Sequence, residues 1–177
     1  MARGLYARGV DDQKINPQRL WVEPHYAEMY VDDGTGVALT TPTSATTIAS
    51  TPLKAGKSNG VTMSAAEDSA VTGIMTFARS GRYRVSFHCG EIVGVNSQAL
   101  IVEAYVNDAV VSPAINAKLT QPATALAIVS VAASGYVTVT AGDTLRFKAT
   151  ASTGNFTVKR GRFSVEQVDD ADPASQV

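Results

Sequence analysis

Cysteine is all but missing: Cys89 stands alone in 177 residues. No disulfide can form within the chain, and a small secreted domain stapled by bridges does not fit. Charge is sparse as well. Asp, Glu, Lys and Arg supply 18% of the residues, where about a quarter is usual. The net charge of −1 gives no whole-molecule attraction to nucleic acid or to an acidic membrane. The only histidines are His25 and His88, and neither has a second ligand at zinc spacing. No apolar run approaches the roughly 18 residues of a membrane span. The opening residues lack the apolar centre of a signal peptide, so synthesis in a cytoplasm is expected. Nowhere does a three-turn amphipathic helix show itself.

What remains is short alternation and turns. After Arg79, Ser80 and Gly81, the positions Tyr83, Val85, Phe87 and Cys89 alternate with Arg82, Arg84, Ser86 and His88. Successive side chains on a strand point to opposite faces, so this period of two predicts one buried and one wet or contacted face. Cys89 falls on the buried side. The run Ile74 to Phe77 precedes the turn, and the stretch from Ile74 to Cys89 is expected to form a hairpin. Tyr26 to Val31 holds alternating large groups and ends at Asp33-Gly34, a strong turn pair. Val37 to Ile48, with Pro42 inside, suits an edge strand or an extended loop. Pro52 to Gly60 reads as a turn region, and Val61 to Met63 as a short strand.

Farther on, Leu100, Val102, Ala104 and Val106 alternate with Ile101, Glu103 and Tyr105, and Asn107-Asp108 turns the chain into Val110 and Val111. Ser112 to Thr124 reads as a long connection. Leu126 to Val131 and Tyr136 to Thr140 are strands, separated by a turn at Ser134-Gly135. Ala141-Gly142-Asp143 is a tight turn that launches Leu145, Phe147 and Ala149 inward, with Thr144, Arg146 and Lys148 outward. Phe156 to Arg160 and Arg162 to Val168 make the last pair, with a bulge or a bend at Gly161. Some eight to ten short strands with turn signals about every 8 to 12 residues predict an all-β sandwich or barrel.

Three regions follow: an arm over 1–24, a body over 25–168, and a short acidic tail over 169–177 with Asp169, Asp170 and Asp172. The arm has no period, yet Leu5, Tyr6, Ile15, Leu20 and Trp21 are more apolar than a free tail needs, among Arg3, Arg8 and Arg19. It is either a disordered leader or a segment that orders itself on another protein.

Motifs with chemistry are weak. Gly56-Lys57-Ser58 lacks the first glycine of a phosphate loop, since Thr51 stands there, and reads as a surface turn. Asp32, Asp33 and Asp143 stand at turns, where Asp bonds to local backbone. Asn155-Phe156-Thr157 matches a glycosylation acceptor by chance in a chain without a secretory signal. Two basic clusters, Arg79, Arg82 and Arg84 with Lys159, Arg160 and Arg162, read as partner contacts or solvated charge rather than base-stacking sites.

The order Gly81-Arg82-Tyr83-Arg84-Val85-Ser86-Phe87, then Ala104-Tyr105-Val106-Asn107-Asp108, then Val139-Thr140-Ala141-Gly142-Asp143-Thr144-Leu145 resembles the tumour necrosis factor and complement-type jelly roll. Asp108 stands where glycine is common in that superfamily. The resemblance covers about Tyr26 to Val168. In its small, leaderless, Ala- and Thr-rich version it is similar to head decoration (cement) and fibre proteins of tailed bacteriophages. It implies an antiparallel jelly-roll sandwich, a homotrimer, and no enzymatic activity, cofactor or metal. A subunit interface drawn from Arg82, Arg84, His88, Tyr105, Tyr136 and Phe156 is expected. So is a capsid-binding arm built on Arg3, Leu5, Tyr6, Arg8, Ile15, Arg19, Leu20 and Trp21. The expected role is a virion protein on the outer capsid surface that binds the major capsid protein, without nucleic acid or membrane partners. The alternatives are a fibre tip that binds a receptor or carbohydrate with aromatics near Asn96 or Thr120, and an enzyme on host polysaccharide, which would need converging carboxylates.

Overall fold

A computed structural model describes residues 24–39, 46–48, 53–94, 97–120, 129–152 and 156–169; within these, the side chains of 33–39, 46 and 169 are not described. Its strands are β1 (Tyr26–Leu39), β2 (Thr46–Thr47), β3 (Lys54–Asn59), β4 (Val61–Met63), β5 (Ile74–Phe77) and β6 (Gly81–Val93). They continue with β7 (Ala99–Val106), β8 (Ala109–Val110), β9 (Asn116–Thr120), β10 (Val129–Val139), β11 (Thr144–Ala151) and β12 (Phe156–Asp169). Two antiparallel sheets form a jelly-roll sandwich. One has five strands in the order β10-β6-β12-β1-β3. The other has seven, with β4-β5-β11-β7-β8 as its path, β2 beside β11 and β9 beside β7.

The alternation read from the sequence sets the two inner faces. Tyr83, Val85, Phe87 and Cys89 are buried from β6, and Leu145, Phe147 and Ala149 from β11. Phe147 bridges the layers, its ring centroid 5.8 Å from Phe87 and 5.0 Å from Phe163. Burying each such ring stabilises the sandwich by roughly 1.5 to 3 kcal/mol. Within this core, burial pushes the Cys89 thiol up to about 12.

Several local expectations are corrected. Ile74 to Cys89 is no hairpin: β5 pairs with β4 and β11, whereas β6 pairs with β10 and β12. The turn at Arg79 and Ser80 is therefore a corner between the sheets, closed by Phe77 against Tyr83 at 4.6 Å. Alternation reports which face a residue occupies, and both strands bury one face whichever neighbour they take. Ser134-Gly135 is no turn, because β10 runs through it in register with Ser86 and Val85. Gly135 instead makes room for Ile115, whose Cγ1 would lie 2.7 Å from any Cβ there. Pro52 to Gly60 contains β3, and Ser112 to Thr124 contains β9. Asp33-Gly34 does not end its strand: β1 continues to Leu39, with a register shift against β12 between Asp32 and Val37.

β12 likewise runs unbroken through Gly161, which pairs with Cys89. The inward phase nevertheless moves there, from Val158 to Gly161 on β12 and from Ile92 to Cys89 on β6. Glu91, at φ 50, is the left-handed residue that accommodates the change. Residues 1–23 and 170–177, and with them the expected capsid-binding positions, lie outside the described residues, while Asp169 belongs to β12 and not to a tail.

Asn107 and Asp108, at φ 50 and 63, form the two-residue turn between β7 and β8. Asp108 explains its own departure from glycine. Its carboxylate accepts from Lys148 Nζ and Arg146 Nη1, both at 2.9 Å, and these contacts, the lysine's first, hold it below the usual carboxylate range. Asn107 ties this turn to the next one. It donates to Asp143 at 2.7 Å and accepts from the Thr144 N–H at 2.9 Å.

Candidate interaction face

β6, β12 and β10 turn their polar phase to the outer face of the five-stranded sheet. Registers fix the rows. Ser134, Ser86 and Ser164 lie side by side and lead to Glu28, with the Ser86 and Ser164 hydroxyls 2.8 Å apart. On one flank stand Ala132, His88 and Arg162; on the other, Tyr136, Arg84 and Glu166. Short serine side chains in the middle, with His88 and Arg162 on one side and Tyr136, Arg84 and Glu166 on the other, leave a shallow strip.

The expected basic clusters do share neighbouring strands, yet each is answered by acid. Arg84 meets Glu166 at 3.0 Å, Arg162 meets Glu28 at 3.2 Å, and Arg160 meets Glu91 at 3.3 Å and Asp32 at 3.4 Å. These exposed pairs contribute little stability. They do neutralise the face, which removes the positive field that phosphate binding needs.

At the β10 border, the Arg82 guanidinium lies 4.6 Å from the centre of the Tyr136 ring, and Tyr136 is 48% exposed. Arg82 and Tyr136 open onto a hollow of about 580 Å³ with Val106, Val111, Pro113 and Thr138. Val110 and Val168 are 46% and 54% exposed. Over its eleven residues β10 has no charged residue and no proline, and among the described residues no strand pairs with its outer edge. Bare edges of this kind are templates for association.

The expected interface residues therefore divide. Arg82, Arg84, His88 and Tyr136 come together on this face. Tyr105 does not: it lies on the outer side of the seven-stranded sheet, where its hydroxyl donates to Glu103 at 3.1 Å and Lys148 lies over its ring at 4.5 Å. Burial and that bond hold Tyr105 above the usual phenol range. Phe156 is fully buried in the core, packed where a Cβ on Gly94 would reach its ring at 2.3 Å, and can contact no partner.

Sequence reasoning missed Tyr26, Glu28 and Tyr30, which share this outer face, although their alternation with buried Ala27, Met29 and Val31 is the same signal that revealed β6. His25 is buried, with Nδ1 3.4 Å from the Tyr83 hydroxyl, and His88 is exposed on the outer face. Lys57 belongs to β3, not to a turn. Among the described residues no group of three His, Cys, Asp or Glu side chains could hold a metal ion. Asn96 lies outside the described residues, and Thr120 ends β9.

No family model and no curated protein matches the sequence. Solved structures do match. The Eiger TNF of S. frugiperda is 12% identical, with 85% of this chain and 98% of that one covered and a TM-score of 0.53. The PRD1 vertex protein P5 is 10% identical, with 81% and 96% covered and a TM-score of 0.55. Murine APRIL at pH 8.0 is 9% identical, with 82% and 100% covered and a TM-score of 0.51. At such identities the likeness is one of fold, a TNF-like jelly roll.

Proposed function

We propose that this chain is a structural virion protein: a homotrimeric jelly roll that decorates a bacteriophage head and stabilises it by binding the major capsid protein through residues 1–24. The observation that carries the reading is the β10 side of the sandwich, an uncharged edge that no strand pairs with among the described residues, bearing exposed Tyr136. Such a side is a liability in a lone subunit and an asset in an assembly. The edge and the serine strip are different surfaces. Packing one subunit's edge on the next subunit's strip is a heterologous contact, and with a suitable rotation it closes into a ring. Tyr136, an aromatic group backed by Arg82, is the natural anchor.

The fold likeness to a PRD1 vertex protein supports a place in a virion, on the outer capsid surface. Attachment falls to the arm on its sequence: Trp21, Tyr6 and Leu20 for burial, with Arg3, Arg8 and Arg19 for register. Fully extended, such an arm reaches about 80 Å, enough to cross from one capsid subunit to another. Light scattering tests the assembly, with three times 18.5 kDa expected; a stable monomer at micromolar concentration overturns it. Deleting residues 1–24 should leave the assembly intact and abolish binding to particles, and retained binding removes the attachment role.

A further inference from the structure

Away from β10, the same sheet face carries a second feature. β1 sends Tyr26, Glu28 and Tyr30 outward at alternate positions, so the two tyrosines stand about 13 Å apart along the strand. β3 does not keep step. Ala27 pairs with Ser58 and Met29 with Ala55, so Gly56 and Lys57 together oppose Glu28. This is a β-bulge. Gly56 contributes no side chain to it, and a Cβ there would stand 3.0 Å from the Glu28 carbonyl oxygen and 3.2 Å from Glu28 Cβ. The result is a hollow of about 280 Å³ lined by Tyr26, Glu28, Tyr30, Gly56, Lys57 and Glu67.

The rim is held in place. The segment after β4 folds back over β3: Ala55 N–H donates to Ser69 O at 2.9 Å, and Asp68 N–H to Ala55 O at 2.8 Å. Asp68, at φ 61, accepts the Tyr30 hydroxyl and so fixes that ring. Lys57 and Glu67 are exposed and have no ion pair among the described residues.

We propose that this hollow is a binding site for a single neutral sugar ring of a surface glycan. A pyranose has C–H faces that pack on aromatic rings and equatorial hydroxyls that donate to carboxylates. Tyr26 and Tyr30 supply the faces, Glu28 and Glu67 the acceptors, and Lys57 a donor for a ring or hydroxyl oxygen. The volume lies just below the usual small-ligand range of about 300 to 1,000 Å³, which suits one ring and not a longer ligand. Other ligands fit less well. An added peptide strand finds β3 already engaged at Ala55 by Ser69, and a phosphate finds no net positive charge, since Arg162 is matched by Glu28 and Lys57 by Glu67. The site uses neither the arm nor the β10 edge, so it stands or falls apart from the attachment role.

Saturation-transfer NMR on the intact chain tests it, with methyl glycosides of glucose, galactose, mannose, rhamnose and N-acetylglucosamine as probes. Transfer to the ring C–H protons of at least one glycoside is expected. Tyr26→Ala and Glu67→Gln should each weaken that affinity about tenfold, while Tyr26→Phe retains it and Lys118→Ala, exposed on β9 of the other sheet, leaves it unchanged. Should Tyr26→Ala fail to fold, Glu67→Gln on the exposed rim carries the test. No transfer from any probe overturns the proposal. So does transfer that survives both Tyr26→Ala and Glu67→Gln, or transfer lost with Lys118→Ala.

Discussion

The two borders of the five-stranded sheet are finished differently. β3 carries lysines at 54 and 57, a bulge at Gly56-Lys57 and a cover made by the chain's own segment around Ser69 and Ala70. Those are the devices by which a sheet edge refuses company. β10 carries no lysine, no proline and, among the described residues, no paired strand on its outer edge, and its outward positions Ser130, Ala132, Ser134, Tyr136 and Thr138 are uncharged. One sheet thus covers part of its β3 border and leaves its β10 border unpaired among the described residues, and the association proposed above uses the second.

Four changes, with Lys57→Ala as a control, break or sharpen that contrast. The largest effect belongs to Phe156→Ala, at the start of the strand between β6 and β1. Emptying a fully buried aromatic site should cost about 3 to 5 kcal/mol in a denaturant melt and weaken both borders together. Next, Tyr136→Ala should weaken association by about 2 kcal/mol in a concentration series followed by light scattering, with subunit melting unchanged. Lys57→Ala on the opposite border should leave association where it was.

Third, Asp68→Ala removes the acceptor of the Tyr30 hydroxyl and loosens the cover on β3. The expected effect is a small loss of local protection, visible as faster amide exchange at Ala55. Smallest is Asp143→Asn, a change remote from both borders and therefore a reference for them. The Thr140 N–H at 2.7 Å and the Asn107 side chain hold the Asp143 carboxyl below its ordinary range. A depressed folded-state pKa contributes stability that is present above the unfolded value and lost as pH falls through the folded one. The variant should therefore be weaker by about 0.5 to 1 kcal/mol at neutral pH and match the parent once the medium is more acidic than that carboxyl.

The inner faces were legible because alternation is a local property. Tyr83 to Cys89 and Leu145 to Ala149 needed no partner to declare which side is buried. Pairing was not legible, since Ile74 to Phe77 would alternate in the same way beside β6 as it does beside β11. Two of the glycines that misled did so for one reason. At Gly135 the chain needs space for Ile115, and at Gly161 it continues opposite Cys89, yet in sequence both look like punctuation. The expected interface residues divide through the same gap: Tyr105 and Tyr136 are both outward aromatics, and only the order of strands shows that they face opposite sides of the sandwich. The hollow beside Gly56 depends on a one-residue slip between β1 and β3, a property of two strands that neither stretch carries by itself.

Cys89 has a practical consequence. A lone thiol sealed between two layers and kept protonated far above neutral pH reacts with an alkylating reagent only while the surrounding structure is open. The rate of its modification in dilute reagent is therefore a clock for opening of the sandwich. It is read without an added label, and it sits midway along the strand that touches both β10 and β12.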